Sequence, residues 1–336
     1  SYTQTMGYEL RQWENQTYRW ATHQDEVSVN RNGTAYQGFS KTENINSEGY
    51  FNYMNSFEKH NINATLGYSY YERNSQGFNM TNYNFPVEAT ALWDIGTGSY
   101  NKLGQASMAS SKDITQKLLA YFARVNYDYD GKYIVSASYR RESSSKFAKN
   151  NRWGNFWSVS AGWRISDEPW MENASWIDDL KIRAAYGVTG NSDFSASYAS
   201  MSYGSDGYFM MPASGNYAIA YGPAVTLNPS LKWEEQLGWN FGLDFSLFDN
   251  RLYGKFDWYN RKVKDMLFSV SVPQPPYALT SQMQNIGNLR NMGWEFEIGA
   301  DIVRNNNGWN YSTNFIFSHD KTEVLNLYGN GTFIDN

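Results

Sequence analysis

Side chains that could perform metal or acid–base chemistry are few and scattered in this sequence. The three histidines, His23, His60 and His319, lie far apart, and the chain contains no cysteine. A zinc site gathers its ligands from clustered nitrogen and sulfur side chains, for which there are no candidates here. We therefore interpret the histidines as polar surface or turn residues and expect no metal ion.

A calcium-like stretch occurs at residues 128–131, where Asp128 and Asp130 are followed by Gly131. The later oxygen ligands of a calcium loop and its glutamate at position 12 are missing. The stretch also lies between two strongly alternating segments. We predict a hairpin turn there, since Asp-Gly is a favoured turn pair.

Candidate nucleophiles and carboxylate pairs are equally weak. The run Ser143 to Ser145 has no G-x-S-x-G motif and no neighbouring histidine, so we predict a loop tip. Asp178 and Asp179 could form a carboxylate dyad, but a solvated turn explains the pair more simply. The sequence thus predicts no catalytic residue and no cofactor, and we do not expect an enzyme.

The composition combines abundant aromatic residues with a polar background. There are 27 Tyr, 19 Phe and 13 Trp in 336 residues, accompanied by many Asn, Ser, Gly and Gln. A net charge of −5 without a basic cluster argues against nucleic-acid binding. No run of about 18 apolar residues is present, which excludes a transmembrane helix. A porin-like wall produces this mixture, because one strand face meets lipid and the other meets water.

Alternation of apolar and polar residues recurs along the chain and predicts long β-strands. One segment places Trp239, Phe241, Leu243, Phe245 and Leu247 on one face, and Asn240, Gly242, Asp244 and Ser246 on the other. A soluble β-sandwich also alternates. These segments run for roughly 10 to 14 residues, however, which is longer than globular strands and suits a tilted membrane crossing.

The connections between these segments alternate in length. Short ones are expected at 58–60, 130–131, 249–250 and 305–308, and long ones at about 74–115, 191–232 and 266–285. Two others are intermediate, an outer loop at 143–152 and an inner turn at 166–179, where Pro169 could begin a short helix. Segment 1–45 should hold one or two strands plus an outer loop. Tight periplasmic turns and longer extracellular loops are typical of outer-membrane barrels.

Charged residues and glycines share the polar register of the predicted strands. The charged set is Arg124, Arg140, Arg164, Lys181, Arg183, Asp244, Lys255, Asp257, Glu295, Glu297 and Asp301. On a lipid face each would cost up to ~2–4 kcal/mol, so we expect them to face the lumen, either as compensating ion pairs or as a seat for a plug. The glycines are Gly162, Gly187, Gly242 and Gly299, where either a plug packs closely or the strand bends.

Ordered motifs over about residues 115–327 resemble the SusC/RagA-type TonB-dependent transporters. The first is ARVNYDYDGKY at 123–133, and a later one is LKIRAAYGVTGN at 180–191. The others lie at 137–141, 149–154, 158–166, 228–234, 240–245, 264–267, 284–287 and 291–296. The chain departs from the family pattern at Glu142-Ser143, where Asp-Gly is common, and at Ala148, where Gly is common.

The resemblance implies an all-β fold, an antiparallel transmembrane β-barrel of which residues 1–336 form a part. We expect roughly 12 of about 22 strands, with the plug, the TonB box and the C-terminal strands absent, and an open sheet with unpaired terminal strands. It also implies TonB-dependent import of oligosaccharides or peptides across the outer membrane of a Gram-negative bacterium. The implied partners are a SusD-like surface lipoprotein and the TonB complex, which acts through the N-terminal region.

Aromatic residues in the long loops are the candidate substrate contacts, because sugar faces and apolar side chains stack on rings. They are Trp93, Tyr100, Tyr208, Phe209, Tyr217, Tyr221 and Tyr277. Loop self-packing or contact with the lipoprotein is the alternative for each. Aromatics near strand ends are expected to form interface girdles instead, namely Trp153, Trp157, Trp163, Trp258 and Trp294.

Two other functions remain open from sequence. The first is a passive porin or adhesin barrel, which would lack energy coupling. The second is a soluble carbohydrate-binding β protein, which would need no detergent for extraction.

Overall fold

The computed structural model is built almost entirely from long antiparallel strands, as the alternation predicts. It describes residues 1–101, 106–194, 203–210, 217–223, 228–274, 279–304 and 308–327. The first seven strands are β1 (Tyr2–Arg19), β2 (Thr34–Phe57), β3 (His60–Tyr83), β4 (Ser107–Tyr129), β5 (Tyr133–Ser144), β6 (Trp153–Arg164) and β7 (Ile177–Asn191). The rest are β8 (Tyr203–Met210), β9 (Tyr217–Pro223), β10 (Glu234–Leu247), β11 (Leu252–Lys264), β12 (Leu267–Ser271), β13 (Ser281–Asn285), β14 (Asn288–Arg304) and β15 (Asn310–Asn326).

Among the described residues, eleven strands form one antiparallel sheet and four form two small hairpins. The sheet order is β1-β2-β3-β4-β5-β6-β7-β10-β11-β14-β15, and the hairpins are β8–β9 and β12–β13. The order does not return from β15 to β1, so the sheet is open. The expected partial barrel wall is therefore confirmed, including its unpaired terminal strands.

The chain divides into two units of contacts. One consists of Ser1–Gln4, Glu48–Ser69 and Leu118–Asn336. The other consists of Thr5–Ser47 and Tyr70–Lys117. We call them the large unit and the small unit. Each has a hydrophobic cluster of its own, formed by connections together with residues near strand ends.

Two opposite faces can be followed across neighbouring strands of the large unit between β4 and β15. On one face, successive cross-strand partners form an apolar row of Tyr129, Tyr133, Trp163, Ile182, Leu243, Phe256, Phe296 and Phe317. Residues next to these along the chain belong to the opposite face. There the cross-strand partners are Arg183, Gly242, Asp257 and Glu295. Because strand residues alternate between faces, the paired register gives the wall one apolar and one polar surface. We call them the apolar face and the polar face.

Aromatic residues near strand ends are well exposed, as a lipid-facing surface requires. Trp157 is 43% exposed, and Trp153, Trp163 and Trp294 are similar. Trp258 is half-buried, with its ring 5.8 Å from that of Phe241. The girdle itself remains a prediction, since these exposures describe the chain and not the membrane around it.

Connection lengths alternate as expected, although the strands reach further than predicted. The strands of the main sheet span 12 to 24 residues, because alternation continues beyond the 10 to 14 residues counted from sequence. The long connection expected at 74–115 accordingly shortens to 84–106. Residues Pro169–Met171 do form a short 3₁₀ turn. The first 45 residues hold β1, the start of β2 and an intervening loop with a short helix, α1 (Gln24–Ser28).

Short turns use the residues that such turns require. Asp130 and Gly131 both adopt positive φ, at 57° and 68°, and the Gly131 N–H donates to Asp128 Oδ1 at 3.1 Å. The hairpin prediction for residues 128–131 is therefore confirmed. Lys59, in the turn between β2 and β3, binds Asp130 at 2.6 Å, and this contact raises the pKa of the lysine. Over the described residues, no helix is long and apolar enough to cross a membrane.

Candidate functional site

The polar face carries a charge network centred on Arg183. Its guanidinium donates to Asp244 at 2.7 and 2.8 Å and to Asp257 at 3.2 Å. Lys255 binds Glu297 at 2.8 Å in the next row. Because these pairs form within the wall, the compensating ion-pair interpretation explains the core of the polar register.

The remaining predicted charges divide into two groups. Arg140, Arg164 and Asp301 each pair with a nearby residue of opposite charge, respectively Glu142, Asp179 and Arg304. In the described part of the chain, Arg124, Lys181 and Glu295 make no ion pair. The plug-seat alternative therefore survives for those three side chains only.

Neighbouring wall side chains fill the space beside the glycines of the polar register. A Cβ on Gly242 would lie 2.6 Å from the Arg183 guanidinium, and one on Gly187 would lie 2.9 Å from Ser158 Cβ. Gly162 faces Lys181, and Gly299 faces the ring of Tyr253. Neither a closely packed plug nor a bend in the strand is needed to explain these glycines. The register stays regular at these positions, and side chains of the sheet itself occupy the space.

A hydrophobic cluster holds the long connections of the large unit together. It consists of Phe147, Phe156, Val188, Phe194, Leu231 and Trp233, with Leu237, Leu267 and Met283 packed against it. The Trp233 ring lies 5.2 Å from both Phe147 and Phe156. Aromatic contacts of this kind add to the area that the rings bury, so Trp233 forms the centre of the cluster.

Hydrogen bonds join the residues 145–152 to both ends of the long connection between β7 and β10. Lys146 is buried and its ammonium donates to the Phe194 carbonyl at 2.9 Å. At the other end, the Trp233 indole N–H donates to the Arg152 carbonyl at 2.9 Å. One short connection thus fixes the start and the finish of a much longer one.

Asn285 links its own strand to two further segments through its side-chain amide. Its Nδ2 donates to the carbonyls of Lys232 and Asp265, both at 2.8 Å, and its Oδ1 accepts from the Lys232 N–H at 2.8 Å. Glu234 accepts from the Leu267 N–H at 2.9 Å. We call the assembled residues 144–152, 192–194, 228–234, 265–267 and 281–285 the loop platform.

The loop platform explains four of the motifs recognised in the sequence. Those at 149–154, 228–234, 264–267 and 284–287 are distant along the chain yet meet here. Their residues serve to hold loops in place. Sequence reasoning did not identify Trp233 or Asn285 as functional, although the Asn228-Pro229 turn just before a strand was a local signal.

A polar cavity of about 570 Å³ opens beside the loop platform. Its lining is rich in amides and hydroxyls and consists of Asn228, Ser230, Lys232, Asp265, Gln282, Gln284 and Asn285. Lys232 and Asp265 form an ion pair across 2.8 Å. Groups of this kind can hydrogen-bond the hydroxyls of a sugar or the amides of a peptide.

The small unit holds the predicted contacts Trp93 and Tyr100 on a well-packed connection. Phe85 and Ala91 are fully buried against Ala35. Asn82, which is 4% exposed, donates to the carbonyls of Ile95 and Gly98 at 2.8 and 3.0 Å. The residues 84–101 therefore have a small core and defined hydrogen bonds of their own.

The predicted substrate contacts that the structure describes lie on two segments, the connection between β3 and β4 and the hairpin β8–β9. Trp93 is 91% exposed, and Tyr100 packs against Tyr83 with ring centroids 5.1 Å apart. Tyr208 and Phe209 lie in β8, and Tyr217 and Tyr221 lie in the paired strand β9. Tyr277 lies outside the described residues. The hairpin brings four of the seven together, and their role in binding remains a prediction.

The residues first considered for chemistry have structural partners. His23 caps α1, and His60 lies 2.7 Å from the Tyr127 hydroxyl. The loop-tip prediction for Ser143 to Ser145 is wrong for Ser143 and Ser144, which end β5, and Ser144 is a fully buried residue of the loop platform. Asp178 and Asp179 lie in β7 rather than in the turn before it. In the described ranges, His, Asp and Glu side chains do not gather into a potential metal site.

Comparison with known proteins gives a consistent result. A family model described as "TonB dependent receptor-like, beta-barrel" matches residues 1–336. The TonB-dependent receptor P3 of Formosa agariphila is 35% identical over 308 residues, covering 90% of this chain and 29% of that protein. The TonB-dependent receptor SusC of Bacteroides thetaiotaomicron is 35% identical over 215 residues, covering 63% of this chain and 21% of SusC.

A similar solved structure is that of the RagAB peptide transporter. The match has a TM-score of 0.82 and 25% sequence identity, and it covers 98% of this chain and 35% of that one. The chain therefore spans about a third or less of the proteins that it resembles.

Proposed function

The chain belongs to the TonB-dependent receptor-like β-barrel family, and on that premise we propose that it forms part of the wall of an outer-membrane nutrient importer. The two-faced sheet is the observation that carries this proposal. An apolar face of aromatic and aliphatic residues suits lipid, and an opposite face with compensated charges suits a hydrated lumen.

The proposed transport is active and depends on the TonB complex, which would act through a region outside these residues. The substrate class is oligosaccharides or peptides. The relationship to SusC and the likeness to a peptide transporter support this class without choosing between the two. The amide-lined cavity is compatible with both, because sugars and peptides each present donors and acceptors.

A SusD-like surface lipoprotein is the proposed partner at the end with long connections. Within the loop platform, both ends of the connection between β7 and β10 are hydrogen-bonded to residues 145–152. This gives a partner or substrate a prearranged surface. Prearrangement lowers the ordering cost of binding. Trp93, Tyr100, Tyr208, Phe209, Tyr217, Tyr221 and Tyr277 remain the proposed aromatic contacts.

Uptake by cells that carry the whole transporter tests the proposal. Labelled oligosaccharides and peptides should accumulate against a gradient, and a protonophore or loss of TonB should abolish the accumulation. Uptake that survives both treatments would instead identify a passive porin or adhesin barrel. Recovery of the whole protein in the aqueous phase without detergent would point to a soluble carbohydrate-binding protein.

A further inference from the structure

The connection between β6 and β7 lies at the end of the large unit where the other strands are joined by short turns. It is longer than the tight turns on either side of it in the sheet. It covers residues 165–176 and contains two 3₁₀ turns, Ile165–Asp167 and Pro169–Met171. We call it the Glu168 turn. Neither the charge network nor the loop platform uses it.

Glu168 ties this turn to the apolar face of the wall. Its Oε1 accepts a hydrogen bond from the Tyr133 hydroxyl at 2.6 Å and another from the Trp163 indole N–H at 2.9 Å. Both donors belong to the apolar row. Lys132 lies 3.4 Å from the same carboxylate, which is buried at 9% exposure. The turn is thus fastened on the side of the sheet that carries aromatic side chains.

Exposed aromatic residues follow this anchor. Trp170 is 62% exposed and Trp176 is 51% exposed. Trp176 stacks on Phe248 of the neighbouring turn, with ring centroids 5.9 Å apart, and its carbonyl accepts from the Phe248 N–H at 2.9 Å. Two adjacent turns therefore present rings at the end of the apolar face.

The chemistry of these residues fits the headgroup layer of a bilayer. Tryptophan is favoured at membrane interfaces because its ring is apolar while its N–H still needs a polar partner. Asp167 is paired with Arg164, but the acid Glu172 is exposed, which favours an ammonium-bearing headgroup over an anionic one. Continuity with the apolar face selects lipid as the occupant.

We propose that the Glu168 turn docks on the phospholipid headgroups of the leaflet at the short-turn end, with Trp170 inserted into the headgroup–acyl boundary. This inference rests on the proposed membrane function. Glu168 acts as a positioning residue, and the Trp176–Phe248 pair extends the lipid contact to the next turn.

A fluorescent reporter on single cysteines of the whole transporter tests the docking. Residues 1–336 contain no native cysteine, so Trp170→Cys, in a transporter whose cysteines outside these residues are replaced by serine, can carry a bimane label in vesicles of phosphatidylethanolamine and phosphatidylcholine. Lipid spin-labelled near the headgroup should quench this label at least about twofold more than one at Asn173→Cys, while aqueous iodide should quench it less. Adding Glu168→Ala should reverse that preference, and Glu168→Gln should largely keep it.

The control separates this inference from the function on which it depends. Phe256→Cys reports from the middle of the apolar row and should be quenched by lipid in any membrane-spanning wall. If Phe256→Cys responds to lipid but Trp170→Cys responds only to iodide, or to neither quencher, lipid docking is wrong and the importer proposal stands. If Phe256→Cys also fails to respond, both are wrong.

Discussion

Arg183 and Asp244 form a two-pronged ion pair between the neighbouring strands β7 and β10. The Arg183 Nε and one terminal nitrogen donate to the two carboxylate oxygens at 2.7 and 2.8 Å. The same terminal nitrogen reaches Asp257 on β11. Since one cation serves two carboxylates, its loss should have a larger effect than the loss of an ordinary surface pair.

Replacing Arg183 with alanine should lower the free energy of unfolding by about 1–3 kcal/mol, because Asp244 and Asp257 would be left without their cation. Lys255→Ala is the matched control, since its pair with Glu297 is more exposed and should contribute less to stability. Urea unfolding of the whole transporter in detergent measures both. Equal losses for the two variants would contradict the central role of Arg183.

Adding a methyl group at Gly242 should disturb the same network. Its Cβ would lie 2.6 Å from the guanidinium, so Gly242→Ala should destabilise by about 1–3 kcal/mol through overpacking. Gly162→Ala lies on the same face but meets a flexible lysine carbon at 3.3 Å and should cost less. A combined Arg183→Ala and Gly242→Ala variant should lose less than the sum of the two, which a double-mutant cycle would detect.

Asn285→Ala should loosen the loop platform without removing the wall. Three hydrogen bonds that join separate segments disappear, and the backbone groups of Lys232 and Asp265 lose a partner. We expect proteases added to intact cells to cut the long connections of the variant several-fold faster than those of the wild type. Substrate uptake should fall. Asn151→Ala removes a single contact of 3.3 Å and serves as the control. Unchanged cleavage in Asn285→Ala would show that the platform does not depend on this amide.

Alanine substitutions at Trp93 and Phe85 should separate effects on substrate binding from effects on the stability of the small unit. Trp93→Ala removes a side chain that is 91% exposed, so stability should change by less than about 0.5 kcal/mol. Phe85→Ala empties a fully buried position and should cost about 3–5 kcal/mol. If Trp93 contacts substrate, its variant alone should reduce substrate affinity while folding normally. Wild-type affinity in Trp93→Ala would remove it from the candidate contacts.

Acidification should weaken the anchoring of the Glu168 turn. Hydrogen bonds from Tyr133 and Trp163, together with the nearby Lys132, lower the pKa of Glu168 below its usual value of 4.5. Its charged form therefore contributes stability above the unfolded-state pKa, and this contribution is lost as pH falls through the lowered value. The stability difference between the wild type and Glu168→Gln should be constant near pH 7 and shrink below about pH 4.5. A difference that does not change with pH would contradict the role of the carboxylate charge.

Much of the wall was predictable from the sequence, because strand alternation is a local property. Residues Trp239 to Leu247 alternate strictly, and the structure pairs them with β7 and β11 in one continuous register. The hairpin at Asp130-Gly131 was equally predictable, since positive φ is readily adopted by these residue types. The strand lengths were underestimated because alternation continues into more polar residues, where the apolar signal is weak.

The sequence by itself determined that the chain makes a two-faced sheet with alternating short and long connections, since periodicity and turn residues act between near neighbours. Only the tertiary structure decided which distant residues meet. Ser144 is buried at the base of a platform instead of exposed at a loop tip, Trp233 reaches the Arg152 carbonyl, and Arg183 occupies the space beside Gly242. These contacts depend on the register between strands and on loop packing. Both bring together residues that lie tens of positions apart along the chain.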